Sequence, residues 1–199
     1  MLNDTITAIA TALQDGAISI IRISGDQAIA IADALFDRPL SQKASHTVTY
    51  GFINDPHTGK QVDEVLVSLF RAPRTYTRED VVEISCHGGR CVTSMILQLV
   101  LAQGARLAKP GEFTQRAFLN GRIDLPQAEA VNDMIQAQTR ETAELAVQGI
   151  RGSVRKLLDP LIQELLDMIA NIEVNIDYPE YEDIEEVTQE KLMPAAKRW

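Results

Sequence analysis

Four residues, Asp124-Leu125-Pro126-Gln127, write a helix start strong enough to divide this chain in two. Asp124 is a helix-capping type, and Pro126 carries the fixed φ that suits a first turn. Gln127 stands three residues past the cap, where a reciprocal capping box wants Glu or Gln. Upstream, apolar residues recur in strand-like and helix-like spacing by turns; downstream the pattern is almost purely helical. The expected fold class is therefore α+β. A mixed α/β domain over residues 1–120 precedes an all-α segment over residues 121–199.

The first region predicts strands at Ile6–Ala10, Ala17–Ile23, Thr47–Ile53, Val62–Phe70, Val81–Ser85 and Ala105–Ala108. Helices are predicted over Asp26–Phe36, with Asp26 as cap, and over Cys91–Gln103, ended by Gly104. Their order lacks regular βαβ spacing, which disfavours a doubly wound sheet. In the second region one helix is predicted from Leu125 to about Gly149, and another is opened by Asp159-Pro160 and runs to about Asn175. Gly149 and Gly152 read either as a break or as a tolerated cost of roughly 1 kcal/mol each. The apolar stripe on residues 161–176 is expected to lack a covering partner. Tyr178–Glu186 reads as an exposed acidic turn before a further helix.

With 199 residues, 45% of them apolar, the chain can bury a real core in one or two domains. No run of 18 or more apolar residues spans a membrane, and no basic stretch before an apolar run suggests a secretory signal. Cys86 and Cys91 make no disulfide framework and suit a reducing cytoplasm. Residues 1–125 hold 13 acidic and 12 basic side chains, whereas residues 126–199 hold 15 and 7. RNA gripped through its phosphates calls for a basic face, so any such contact belongs to the near-neutral first region or to segments outside this sequence.

Several residues invite a chemical reading. Glu83 lies in the β-branched run Val81-Val82-Glu83-Ile84, where a carboxylate is costly to bury unpaired, and alternation alone points it to solvent. Arg22, between Ile21 and Ile23, reads equally as a sheet-edge arginine paired with an acid or as a binding group. Arg122 on its own reads as a solvated residue before a helix. Cys86-His87 makes a poor nucleophile–base pair, because adjacent strand residues face opposite ways. With Cys91 they offer at most three zinc ligands, where a structural site wants four. Gly88-Gly89 suits a tight turn better than an anion site. Glu180, Glu182, Asp183, Glu185 and Glu186 read as a solvated turn. No catalytic or metal-binding residue is expected.

Three ordered segments carry a family resemblance. They are Asp4–Thr11 with Gly16–Gly25; Thr77–Ile84 running into His87-Gly88-Gly89; and Gly111–Asp133. From about Asp4 to Val187 the chain resembles the bacterial tRNA-modification GTPases of the TrmE or MnmE family. The resemblance implies that residues 111–133 form the hinge between a folate-binding domain and a helical domain. It also implies a first domain with a fold like that of the folate-dependent aminomethyltransferases. Arg22, Glu83 and Arg122 match the family's folate-contacting positions; the last is basic in the family and lysine in many members. A pterin offers an amino group and a ring N–H side by side to a carboxylate, and arginine forks onto carboxylates such as a folate's glutamate tail. Which arginine meets the tail and which the ring stays open at this point.

The implied cofactor is 5-formyl-tetrahydrofolate, a one-carbon carrier for wobble-uridine modification of the 5-carboxymethylaminomethyl type. The implied partners are a second copy through the N-terminal domain, an FAD-dependent modification protein, and tRNA in the full complex. GTP, magnesium and potassium belong to the family's nucleotide domain, inserted after the first helices of the helical domain. No G-x-x-x-x-G-K-[ST] phosphate loop occurs here: Gly59-Lys60 runs into Gln61 and Gly88-Gly89 into Arg90. The family's C-terminal cysteine motif is missing and Met193–Trp199 departs from the pattern, so the helical domain is expected to be truncated and GTP hydrolysis absent. Two other readings stand beside this one. The chain would be a dimerising interaction module without folate binding, or an independent aminomethyltransferase with Asp80 as the candidate base.

Overall fold

The computed structural model describes residues 4–177. The chain divides into two units, the first running to Ala128 and the second starting at Glu129. The first unit is built on a six-stranded sheet in the order β3-β4-β5-β2-β1-β6. Its strands are β1 (Ile6–Ile9), β2 (Ile18–Ser24), β3 (Thr47–Asn54), β4 (Gln61–Phe70), β5 (Val81–His87) and β6 (Arg106–Leu107). All neighbouring pairs are antiparallel except β1 and β6.

Two helices, α1 (Ala28–Leu35) and α2 (Arg90–Ala102), cover one face of the sheet. Alternation places Ile21 and Ile23 of β2, Val65, Val67 and Leu69 of β4, and Val82 and Ile84 of β5 on that face. They pack against Ala28, Ile31, Ala32 and Leu35 of α1 and Ile96 and Val100 of α2, all buried. The other face carries Ile18, Val48, Tyr50 and Leu66, all exposed, together with Arg22 and Glu83. Gly88 follows β5 where the chain passes the Gly16 backbone. A β-carbon on Gly88 would lie 2.5 Å from the Gly16 carbonyl oxygen, so only glycine fits that crossing. Gly88-Gly89 thus serves backbone passage and the entry to α2.

Asp26 does not cap α1. The cap position is Gln27, without a side-chain cap bond, and its N–H donates to Thr5 Oγ1 at 3.0 Å. The first unit holds a further helix, α3 (Glu112–Leu119), in a stretch for which the sequence predicts no element.

At the junction the expected capping box forms. The Asp124 N–H donates to Gln127 Oε1 and the Gln127 N–H to Asp124 Oδ1, both at 2.9 Å. The single helix expected to run to Gly149 is instead two, α4 (Leu125–Gln136) and α5 (Arg140–Ile150). Thr139, extended at φ −127 and ψ 161, breaks the run and forms a new capping box with Thr142. Gly149 lies inside α5, where an added β-carbon would sit 2.6 Å from Ala130 Cβ, so it permits close packing of α5 on α4. Gly152, at φ 74, is the true break.

Asp159-Pro160 does not open the last helix, α6 (Ser153–Asp177); Pro160 lies inside it. The helix has already begun with the Lys156 N–H donating to the Gly152 carbonyl at 3.2 Å. Along α6 the apolar Leu157, Ile162, Leu165, Leu166, Ile169 and Ile176 are exposed. The acidic turn at 178–186 and the terminal segment 193–199 lie outside the described residues.

Candidate functional site

The antiparallel register of β2 on β5 sets Arg22 directly opposite Glu83. Arg22 donates from Nε to Glu83 Oε1 at 2.7 Å, and its Nη2 lies 2.7 Å from the same oxygen. Glu83 Oε2 has no hydrogen-bond partner among the described residues. The two side chains are 32% and 22% exposed, so the pair is reachable from solvent.

The pair opens onto a cavity of about 360 Å³, within the range usual for small-molecule sites. Phe70 and Val81 supply its apolar surface, the loop 71–80 contributes Arg74, Thr75 and Tyr76, and Arg122 completes the lining. The Arg122 guanidinium lies 5.0 Å from the Tyr76 ring centroid, within cation–π reach. The three residues singled out from sequence, Arg22, Glu83 and Arg122, are therefore brought to one hollow.

What holds the hollow in shape is the clasp between its loop and the end of α3. Tyr76 Oη and Thr114 Oγ1 are 2.9 Å apart, and Asn120 Nδ2 donates to the Thr77 carbonyl at 2.7 Å. Arg78, at the unusual φ of 60, donates from Nη1 to the carbonyls of Asn120 and Gly121 at 3.1 and 3.3 Å. This fixes the two residues immediately before Arg122. Chemically the site offers an acceptor carboxylate beside a guanidinium, aromatic and aliphatic walls, and two further guanidinium groups. Such a set suits a flat, hydrogen-bond-donating ring joined to an anion.

Other sequence candidates fall elsewhere. Cys86 is buried and its Sγ–H points to the Ser19 carbonyl, while burial pushes its thiol pKa up. His87, at the far end of β5 from the cavity, is exposed with Nδ1 2.7 Å from Asp63 Oδ1. Asp80 accepts from the Ala72 N–H at 2.8 Å and does not line the cavity, so its fitness as a base there is poor. Among the described residues no three His, Cys, Asp or Glu side chains cluster to hold a metal.

Residues 5–122 match the family model described as GTP-binding protein TrmE N-terminus, and residues 125–199 match that of the MnmE helical domain. This chain belongs to the TrmE/MnmE family. It is 57% identical over 198 residues to the tRNA modification GTPase MnmE of Geobacillus kaustophilus, covering 98% of this chain and 43% of that protein. It is 56% identical over 194 residues to the Bacillus mycoides protein of that name, covering 97% and 42%. With the Streptococcus pyogenes protein it shares 58% identity over 186 residues, covering 93% and 41%. The chain thus spans less than half the length of these relatives.

Two features of this TrmE-type domain escaped the sequence reading. One is Arg74, with Tyr76 beside it; the arginine-rich loop Arg71, Arg74, Arg78 was the available signal. The other is a charge network centred on Arg116, whose side chain is only 1% exposed. Arg116 Nη2 lies 2.6 Å from Asp4 Oδ1 and 3.5 Å from Glu112 Oε1, and Nη1 lies 3.1 Å from Glu79 Oε1. Arg106 joins from the rim, bonding Asp4 at 2.7 Å and Glu112 at 2.5 Å. The Arg106 guanidinium, helped by the Lys109 N–H, holds the Glu112 carboxyl down to about 2 against the opposing effect of burial. Arg106 likewise lowers the pKa of Asp4.

Proposed function

We propose that this chain is the folate-carrying N-terminal part, with the start of the helical domain, of a tRNA wobble-uridine modification GTPase. The observation that carries the reading is the convergence of Arg22, Glu83 and Arg122 on one cavity beside Tyr76 and Phe70. In this reading the free oxygen of Glu83 accepts from the amino and ring N–H groups of a reduced pterin. Arg22 orients that carboxylate, and Arg122, which has no acid partner among the described residues, meets the glutamate tail. The bound 5-formyl-tetrahydrofolate supplies a one-carbon unit; the chain's own residues bind and orient it and exclude water from the ring.

The exposed apolar side chains of Ile18, Val48, Tyr50 and Leu66 share the sheet face with Arg22 and Glu83, which supports pairing of two copies near the site. Chemistry on the uridine would require an FAD-dependent partner protein and tRNA, and GTP hydrolysis would require the nucleotide domain of the longer family members. None of the described helices is long and apolar enough to cross a membrane.

Titration calorimetry with 5-formyl-tetrahydrofolate tests the reading. The wild type should bind, and Glu83→Ala should weaken binding by more than about 1 kcal/mol, the scale of lost charged hydrogen bonds. Absence of heat and of competition in the wild type would defeat the folate assignment and leave a dimerising module, which light scattering would still detect.

A further inference from the structure

The cavity carries more positive charge than a pterin ring alone can use. Its lining holds three guanidinium groups, from Arg22, Arg74 and Arg122, against one carboxylate, Glu83. Arg22 is committed to Glu83, and Arg122 lies over Tyr76. Arg74 makes no hydrogen bond or ion pair with any described residue, although it is followed in its own loop by Glu79 and Asp80. Those two acids are already occupied: Glu79 takes Arg116 and the Ser24 hydroxyl, and Asp80 takes the Ala72 N–H. Arg74 and Arg122 therefore stand at one hollow with no acid partner among the described residues, a setting that suits a ligand bearing two negative charges.

From this geometry we infer that Arg74 is a specificity-determining residue that binds the second carboxylate of the ligand's glutamate tail, alongside Arg122. The inference rests on the folate reading given above and goes beyond it. A single glutamate tail presents two carboxylates, and each guanidinium takes one in a forked geometry. The loop backbone that carries Arg74 is anchored at both ends, by the Asp80–Ala72 bond and by the Thr75 hydroxyl on the Glu79 carbonyl at 2.7 Å. The side chain itself is exposed and unpaired, so its removal disturbs no packing.

Calorimetry of the full chain with two probes decides the matter. One is 5-formyl-tetrahydrofolate and the other is 5-formyl-tetrahydropteroate, which keeps the ring system and lacks the glutamate. Arg74→Ala should weaken the first by about tenfold and change the second by less than about twofold, with Arg74→Lys, which keeps the charge but not the fork, recovering only part of the loss. Equal weakening of both probes would mean that Arg74 acts on the ring or on the cavity wall, and would overturn the tail assignment. Wild-type binding of the first probe with no loss in Arg74→Ala would overturn it too, while leaving the folate reading intact. Wild-type binding of neither probe would remove both.

Discussion

Arg22 and Arg116 each meet a glutamate within 3.1 Å in the same sheet domain, yet their surroundings differ in the balance of charge. Around Arg116, two arginines face three carboxylates, from Asp4, Glu79 and Glu112, and the central guanidinium is buried. Around Arg22, three arginines face one carboxylate, and the group is open to a cavity. The first cluster is closed upon itself and ties four pieces of chain together: the start of β1, the loop before β5, β6 and α3. The second has charge left over. A network in which every carboxylate meets a guanidinium ties the fold together, whereas guanidinium groups without acids at a cavity suit an anionic ligand. The clasp of Tyr76 and Arg78 on α3 and the residues after it links the two, since the loop held by Glu79–Arg116 is the wall of the cavity.

The sharpest way to break the comparison is to empty the closed cluster. Arg116→Met leaves Glu79 and Glu112 without their buried partner, and removing one member of a buried pair costs about 3–5 kcal/mol. Urea unfolding should show a loss of that size. A loss below about 1 kcal/mol would mean that solvent reaches the network and that the two clusters are not distinct in kind.

Glu112 gives the next largest effect. Its pKa, about 2 against an ordinary value of 4.5, is depressed in the folded state. The stability it contributes is therefore fully present above about pH 4.5 and drains away as the pH falls toward about 2. Asp4, lowered in the same direction by Arg106, adds to that window. Glu112→Gln should cost about 1.5–3 kcal/mol at neutral pH, the scale of charged hydrogen bonds, and should flatten the acid dependence. An unchanged slope of stability against pH in the variant would assign the acid sensitivity to other carboxylates.

Much of the sheet was legible because β-branched alternation at β2, β4 and β5 is a local signal, and so was the Asp124–Gln127 box. The helix α3 was not. Its stretch Glu112-Phe-Thr-Gln-Arg116 puts charges where a core helix ordinarily has apolar residues. Those charges are tolerated because Asp4, 112 positions away from Arg116, comes to meet them together with Glu79 and Arg106. The break at Thr139 was hidden because Thr142 stands where a capping box is usually signalled by Glu or Gln. Pro160 misled in the opposite sense, since proline marks helix starts far more often than interiors. At the cavity, Arg22 and Glu83 lie 61 positions apart, and nothing local fixes the register that joins them. The family resemblance pointed to these residues, while Arg74 lay on a loop without periodicity.

The smallest expected effect is the one that best separates the two clusters. Glu83→Gln removes the only carboxylate in the cavity lining, yet its pair with Arg22 is partly solvated, and ion pairs of that kind contribute about 0–1 kcal/mol. The variant should unfold within about 1 kcal/mol of the wild type while losing ligand affinity. Arg22 would then be left with Phe113, 5.6 Å from its guanidinium, and with water. A stability loss in Glu83→Gln as large as that of Arg116→Met would show that the Arg22 pair is a structural bridge between β2 and β5. Its position at the cavity would then be incidental, and the surplus of guanidinium groups around it would need another explanation.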